Sequence, residues 1–222
     1  MKRLRVCLAL TLAMLLVTVS VASAGGNANP GVLPPNSRVQ GLTYGEWSAR
    51  LMQSVFGLPL SENPAAGAPW TGCYLERVGN VGLGVPFFGS GTFTCEMPVG
   101  TMLYLLVIAS ECSTLEPPPF YGSNEAELRA CATSTAFADL QASIDGVAIQ
   151  DVADYLVTSP LYQLTLPEGN VLGLPAGTGD SVAYGAFLML APLSPGQHTV
   201  HVHGAVPGAF EYDMTYFITV TN

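Results

Sequence analysis

Positive charge is nearly absent from this sequence of 222 residues. Its one lysine is Lys2, and beyond the first five residues the only cations are Arg38, Arg50, Arg77 and Arg129. They stand against 16 acidic residues. Nucleic acids and anionic membrane surfaces attract basic patches, so this charge balance makes both poor partners.

Long apolar runs are also missing after the N-terminus. The one long run extends from Val6 to Val21, behind a basic segment and ahead of the small residues Ala22-Ser23-Ala24. The basic segment, the apolar run and the small residues of a cleavage site together predict a secretory signal peptide over residues 1–24. An uncleaved anchor is the alternative, which the shortness of the run disfavours. Cleavage leaves four arginines against 16 acids, a net charge of −12, and we predict an extracellular or periplasmic protein without a membrane span.

Cysteine usage agrees with export. Four cysteines follow the predicted cleavage point, Cys73, Cys95, Cys112 and Cys131. An even number in an exported protein predicts disulfides, for which three pairings are possible. We predict Cys73–Cys95 and Cys112–Cys131, since sequential pairing closes local loops. A zinc site made of all four would be expected to have pairs only a few residues apart, which these are not.

One helix is well marked. Thr43-Tyr-Gly-Glu46 has the pattern of a capping box, in which the threonine and glutamate side chains each accept from the other residue's backbone N–H. Trp47, Leu51 and Val55 then recur at helical spacing until Gly57. The pattern predicts an amphipathic helix with its aromatic stripe in the core.

Short strand-like segments separated by Gly and Pro fill most of the remaining chain. Met102–Ala109 is continuously apolar, which predicts a strand covered on both faces, and Gly84–Phe88 predicts another. Asp145-Gly146 is a strong hairpin signal. A second, short helix is predicted to begin near Asn124–Glu127. This order of elements favours a mainly β fold, a β-sandwich with two helices and two disulfides.

No internal repeat or change in composition divides the chain. Residues 25–40 are rich in Gly, Asn and Pro without periodicity, which predicts a flexible leader. Residues 41–222 are predicted to form a single β-sandwich-like domain.

Several short motifs carry a resemblance to a known family. They are Tyr44-Gly-Glu-Trp-Ser-Ala49, Asn63-Pro64, Cys95-Glu-Met-Pro-Val-Gly100, Glu111-Cys-Ser-Thr114, Glu127-Leu-Arg-Ala-Cys131 and Pro192-Leu-Ser-Pro-Gly-Gln-His-Thr199. In them, and over nearly the whole mature chain, the sequence resembles a family of secreted bacterial proteins described only as hypothetical. It departs from that family at Leu51-Met52-Gln53, where further tryptophans are expected. The resemblance implies an exported, disulfide-linked single domain, and it supplies no activity and no catalytic residues.

Catalytic motifs are missing from the sequence. It has no G-x-S-x-G, and Gly89-Ser90-Gly91 is better explained as a tight turn. A pair of catalytic carboxylates need not be adjacent in sequence, so the 16 acids identify no candidate. We therefore predict a non-catalytic binding or cell-envelope structural module. An alternative is a carbohydrate-binding module using aromatic side chains such as Trp70, Tyr121 or Tyr162.

All three histidines lie in the stretch PGQHTVHVHG, at His198, His201 and His203. On a strand, Val200 and Val202 would alternate with them and face the core. His201 and His203 then share an exposed face, and His198 points elsewhere.

The following strand carries two carboxylates. With a turn centred near Pro207, we predict His201 opposite Asp213 and His203 opposite Glu211. Two imidazoles and two carboxylates are ligands that Zn²⁺ or Cu²⁺ accepts, which makes a metal-binding protein or a metal-dependent enzyme a second alternative. Ordinary cross-strand contacts of the four side chains are the simpler interpretation.

Overall fold

The computed structural model describes Asn29 and residues 31–222; the predicted signal peptide over residues 1–24 lies outside this part of the chain. The described residues form mainly β-structure. Two helices are present, α1 (Tyr44–Phe56) and α2 (Glu125–Thr133). The strands are β1 (Tyr74–Val78), β2 (Val81–Gly84), β3 (Gly91–Pro98), β4 (Met102–Ser113), β5 (Ala138–Ile144), β6 (Val147–Ala148), β7 (Leu156–Thr158), β8 (Tyr162–Leu166), β9 (Gly177–Leu190), β10 (Gly196–Val206) and β11 (Phe210–Thr221).

The strands form two sheets that pack together. The six-stranded sheet has the order β1-β2-β4-β9-β7, with β8 also pairing with β9, and the five-stranded sheet has the order β3-β11-β10-β5-β6. Pairing is antiparallel except between β2 and β4 and between β3 and β11. The prediction of a β-sandwich with two helices is confirmed.

Alternating side chains of β10 and β11 supply one side of the core. Val200, Val202, Met214 and Tyr216 are all at most 2% exposed. β4 lies opposite as the centre of the six-stranded sheet, and its predicted strand is buried over most of its length. Two-sided burial of β4 between α1 and the other sheet explains why its sequence is apolar without alternation.

Helix α1 forms where its sequence pattern places it. Thr43 is the N-cap; its hydroxyl accepts from the Glu46 N–H at 3.2 Å, and the Glu46 carboxylate accepts from the Thr43 N–H at 2.7 Å. Trp47 and Leu51 are fully buried against the six-stranded sheet, and the helix ends at Gly57. The capping box and the buried aromatic stripe are both confirmed.

Both disulfides have the predicted partners. Cys73, just before β1, joins Cys95 in the second half of β3, and Cys112 of β4 joins Cys131 of α2. The second disulfide ties α2 to the strand that it covers, where Leu128 is also fully buried.

The strand predicted over Gly84–Phe88 is wrong. β2 instead spans Val81–Gly84, and the chain leaves the sheet at Val85-Pro86. Pro86 has no N–H to donate to a neighbouring strand, so the pairing stops there. Residues 86–88 become a wall of the cavity described below.

Part of the predicted leader lies against the domain. Val32 is fully buried and forms an isolated bridge with Leu190, and the Leu33 N–H donates to the Met189 carbonyl at 2.9 Å. Among the described residues, no helix is long and apolar enough to cross a membrane.

Candidate functional site

A cavity of about 290 Å³ opens at the edge of β4, between α1 and the β10–β11 hairpin. Most of its lining is apolar. The lining residues are Leu51, Met52, Val55, Phe56, Pro86, Phe87, Phe88, Leu106, Ile108, Ala109, Ser110, Glu111, Glu116, Phe120, Leu172, Phe210 and Tyr212. Concave, mainly apolar sites with a few polar groups are the usual form of small-molecule binding sites.

The early end of β2 positions this cavity. β2 pairs with β4 only as far as Tyr104, so the next part of that edge of β4 has no β2 residue beside it. Ile108–Glu111 of β4 line the cavity there, with the loop 85–88 on one side and α1 on another.

Three exposed phenylalanines belong to the same lining. Phe88 is 55% exposed, Phe120 48% and Phe210 44%. They come from three separate loops or strand ends, so no local sequence pattern brings them together. Exposed hydrophobic residues on a protein surface are normally scattered singly. A cluster of them around a concave opening is therefore typical of a binding site.

Two carboxyl groups lie among these apolar walls. Glu111 is only 9% exposed and accepts a hydrogen bond from the Ser181 hydroxyl of β9. Glu116, in the loop after β4, is half-buried and accepts from the Ser113 hydroxyl at 2.9 Å. Ser110 adds a buried hydroxyl oxygen that has no hydrogen-bond partner among the described residues.

Burial raises the pKa of Glu111 well above its usual range, and the neighbouring Glu116 raises it further. Burial raises the pKa of Glu116 as well, against the opposing hydrogen bonds with Glu111 and with Ser113. Two carboxyl groups this close in a low-dielectric site do not ionise independently. The pair therefore holds a proton at pH values where an exposed glutamate has lost it.

The histidine strand has a different register from the one predicted. His203 lies opposite Asp213 and His201 lies opposite Thr215, so the pairing is displaced by two residues. The turn is centred on Gly208, whose φ is +75°, and not on Pro207. Proline cannot adopt a positive φ, so the glycine takes that position. A displacement of two keeps every side chain on its predicted face.

The new register still brings the predicted ligands near one another. His203 Nδ1 lies 3.4 Å from Asp213 Oδ2 and 3.8 Å from Glu211 Oε1. One ligand atom from each of these three residues lies within 4.8 Å of the other two. His201 stands outside that group and contacts Asp213 Oδ1 through Nε2 at 2.9 Å.

His198 is held apart from the other two histidines, as predicted. Its Nδ1 lies 2.7 Å from an Asp145 carboxylate oxygen, and its Nε2 lies 2.9 Å from the Ser194 carbonyl. The hydrogen bond with Asp145 raises the pKa of His198. Asp145 and Gly146 both have positive φ in the β5–β6 turn, which confirms the predicted hairpin.

The three aromatic residues considered for carbohydrate binding are dissimilar. Tyr162 is 8% exposed and its hydroxyl is buried, so it is not available as a surface platform. Trp70 is half-buried with its indole N–H donated to the Tyr74 carbonyl at 3.2 Å, and Tyr121 is 45% exposed.

Comparisons with family models, with curated proteins and with solved structures gave no match. The resemblance to secreted hypothetical proteins therefore stays a prediction.

Proposed function

We propose that this is an exported, non-catalytic binding protein that takes the apolar part of a small ligand into the cavity beside β4. The observation that carries the proposal is the set of three exposed phenylalanines, Phe88, Phe120 and Phe210, around a concave apolar space. Two disulfides agree with an exported protein, because such bonds persist in oxidising compartments.

The composition of the lining favours binding of an apolar group over carbohydrate chemistry. Paired carboxylates occur in glycosidases, and Glu111 and Glu116 are such a pair. Sugar hydroxyls, however, need many hydrogen-bond partners, and beyond this pair the cavity offers little more than Ser110 and Tyr212. Leu106 and Ile108 present only hydrocarbon to a ligand.

The proposal predicts that the mature protein binds the neutral apolar dye N-phenyl-1-naphthylamine, with a rise in dye fluorescence. Replacing Phe88, Phe120 and Phe210 together with serine is expected to weaken the affinity by about tenfold or more, because each loses apolar contact area with the ligand. All three are exposed, so the circular dichroism spectrum and melting temperature are expected to change little.

Phe217→Ser is the matched control. Phe217 is 45% exposed, as the three others are, but it lies on β11 away from the cavity. Its replacement is expected to leave dye affinity unchanged. Absence of dye binding by the wild type, or equal affinity in the triple variant, would show that the cavity is not the binding site.

A second candidate function is metal binding at His203, Glu211 and Asp213. The supporting observation is that the three side chains offer one nitrogen and two carboxylate ligands within 4.8 Å of one another. Ligand atoms bound to one tetrahedral Zn²⁺ at about 2.0–2.2 Å lie about 3.3–3.6 Å apart. The His203–Asp213 separation of 3.4 Å matches this spacing, and the His203–Glu211 separation of 3.8 Å is close to it. His201 would then position Asp213 by hydrogen bonding to its other oxygen.

Titration calorimetry with ZnCl₂ on protein without a His-tag tests this candidate. One Zn²⁺ per chain is expected, with binding lost in His203→Ala and weakened to a smaller extent in His201→Ala. His198→Ala is the control and is expected to bind as the wild type does, since His198 contacts Asp145 instead. Equal binding by His203→Ala and the wild type rules the site out.

A further inference from the structure

The carboxyl pair in the cavity has no cationic partner in the part of the chain that the structure describes. Arg129 bonds Glu125 and the Ser159 carbonyl, Arg38 lies 3.9 Å from Glu46, and no arginine among residues 31–222 lines the cavity. The hydrogen bonds of Glu111 and Glu116 join the two carboxyl groups to each other and to Ser181 and Ser113, none of which is a cation. Buried carboxylates usually have a positive partner, because burial of an uncompensated charge is costly.

Several aromatic rings line the same cavity. They are Phe87, Phe88, Phe120, Phe210 and Tyr212. The faces of aromatic rings attract organic cations, and such rings combined with carboxylates form the binding sites for ammonium groups. The Tyr212 hydroxyl accepts from the Phe87 N–H at 3.3 Å and contacts Tyr216, so it stays a neutral hydrogen-bonding group; burial raises its pKa to about 12.

The free hydroxyl of Ser110 points to the same kind of ligand. Its oxygen is buried and lacks a hydrogen-bond partner among the described residues, and Ser110 lines the cavity beside Glu111. An oxygen in this state can accept a hydrogen bond from a ligand N–H.

We propose that the ligand is a cationic amphiphile, a primary ammonium on an apolar body, whose ammonium binds between Glu111 and Glu116. This inference rests on the proposed function, since it assigns the head group of a ligand whose apolar part occupies the same cavity. The volume of about 290 Å³ lies near the lower end of small-molecule sites, which limits the apolar body of the amine to a short alkyl chain or a few rings.

Binding of the ammonium exchanges one positive charge for another. Without ligand the carboxyl pair holds a proton; with ligand the ammonium takes its place and the proton passes to solvent. The groups that face Glu111 from neighbouring elements are Glu116, Ser181 and the buried Tyr162, and of these only Glu116 is an acid. Affinity for the ammonium is therefore expected to rise with pH as the pair loses this proton.

Displacement of N-phenyl-1-naphthylamine by three matched probes tests the inference: octylammonium, 1-octanol and octanoate, each below its aggregation concentration at pH 7.5. Octylammonium is expected to bind about tenfold more tightly than either other probe. In the double variant Glu111→Gln/Glu116→Gln this preference is expected to vanish. The glutamines keep the shape and the hydrogen-bonding capacity of the pair but not its charge.

The outcomes separate the two proposals. Equal binding of the three probes to the wild type, or tighter binding of octanoate, overturns the ammonium inference and leaves the apolar binding function standing. A preference for octylammonium that persists in the double variant also overturns it, because the preference would then arise elsewhere. If neither the dye nor any probe binds, the binding function itself fails.

Discussion

Replacing Trp47 with alanine is expected to lower the free energy of unfolding by about 3–5 kcal/mol. The side chain is fully buried, and its indole N–H donates to the Val39 carbonyl at 3.2 Å. Its ring lies 6.4 Å from that of Tyr104, so its loss leaves a void between α1 and β4 that neighbouring side chains fill only in part. Chemical denaturation followed by circular dichroism measures the change.

The chain's other tryptophan supplies the control. Trp70 is half-buried, and Trp70→Ala is expected to cost about 1 kcal/mol or less. If Trp47→Ala does not fold, Trp47→Phe retains most of the buried area and is expected to cost about 1–2 kcal/mol. A loss below 1 kcal/mol for Trp47→Ala would mean that this side chain does not hold α1 on the sheet.

The same substitution should affect the cavity. Leu51, Met52, Val55 and Phe56 follow Trp47 on α1 and form one wall of the cavity. If Trp47 holds α1 on the six-stranded sheet, then Trp47→Ala lets the helix move, and the cavity wall that it forms loses its fixed shape. Dye affinity is therefore expected to fall in Trp47→Ala although the residue does not line the cavity, which links the stability of α1 to binding.

Local features of the fold could be predicted because a few neighbouring residues determine them. The capping box depends on Thr43 and Glu46 alone, and the β5–β6 turn depends on Asp145-Gly146, both of which tolerate positive φ. The disulfide pairing was predictable for a similar reason, since each pair closes a loop of about twenty residues.

The register of β10 and β11 illustrates where such reasoning stops. The alternation of Val200 and Val202 correctly indicates which face is buried, but a displacement by two residues keeps the same alternation. Only the turn decides between the two registers, and the positive φ of Gly208 fixes it. The metal candidate changes accordingly from four predicted ligands to the three of His203, Glu211 and Asp213.

The cavity could not be predicted from the sequence. Its walls come from segments far apart in the chain. It exists because β2 ends at Gly84, where the sequence predicted a strand to begin. Phe88, Phe120 and Phe210 are indistinguishable by residue type from the core phenylalanine Phe187. Proline at position 86 was the one available indication, since it marks the end of strand pairing.

Replacing Glu111 with glutamine is expected to stabilise the protein at pH 8 and to change little at pH 4. Burial raises the folded-state pKa of Glu111, so its contribution to stability is fully present below the unfolded pKa of about 4.3 and is lost as pH rises through the folded pKa. Glutamine carries no charge to bury and its oxygen can still accept from Ser181. The gain at pH 8 is on the order of 1–3 kcal/mol, or roughly 2–10 °C in melting temperature.

Thermal unfolding at several pH values between 4 and 8 measures this difference. Glu96→Gln is the control, because it also replaces one glutamate with glutamine, but on the exposed face of β3. The control is expected to follow the wild type at every pH. A Glu111→Gln variant that is less stable than the wild type at pH 8 would contradict the assignment of a costly buried acid. A Glu111→Gln variant that is more stable and yet loses its preference for octylammonium would mean that the buried Glu111 lowers stability but is needed to bind the ligand. Residues at functional sites commonly lower stability in this way.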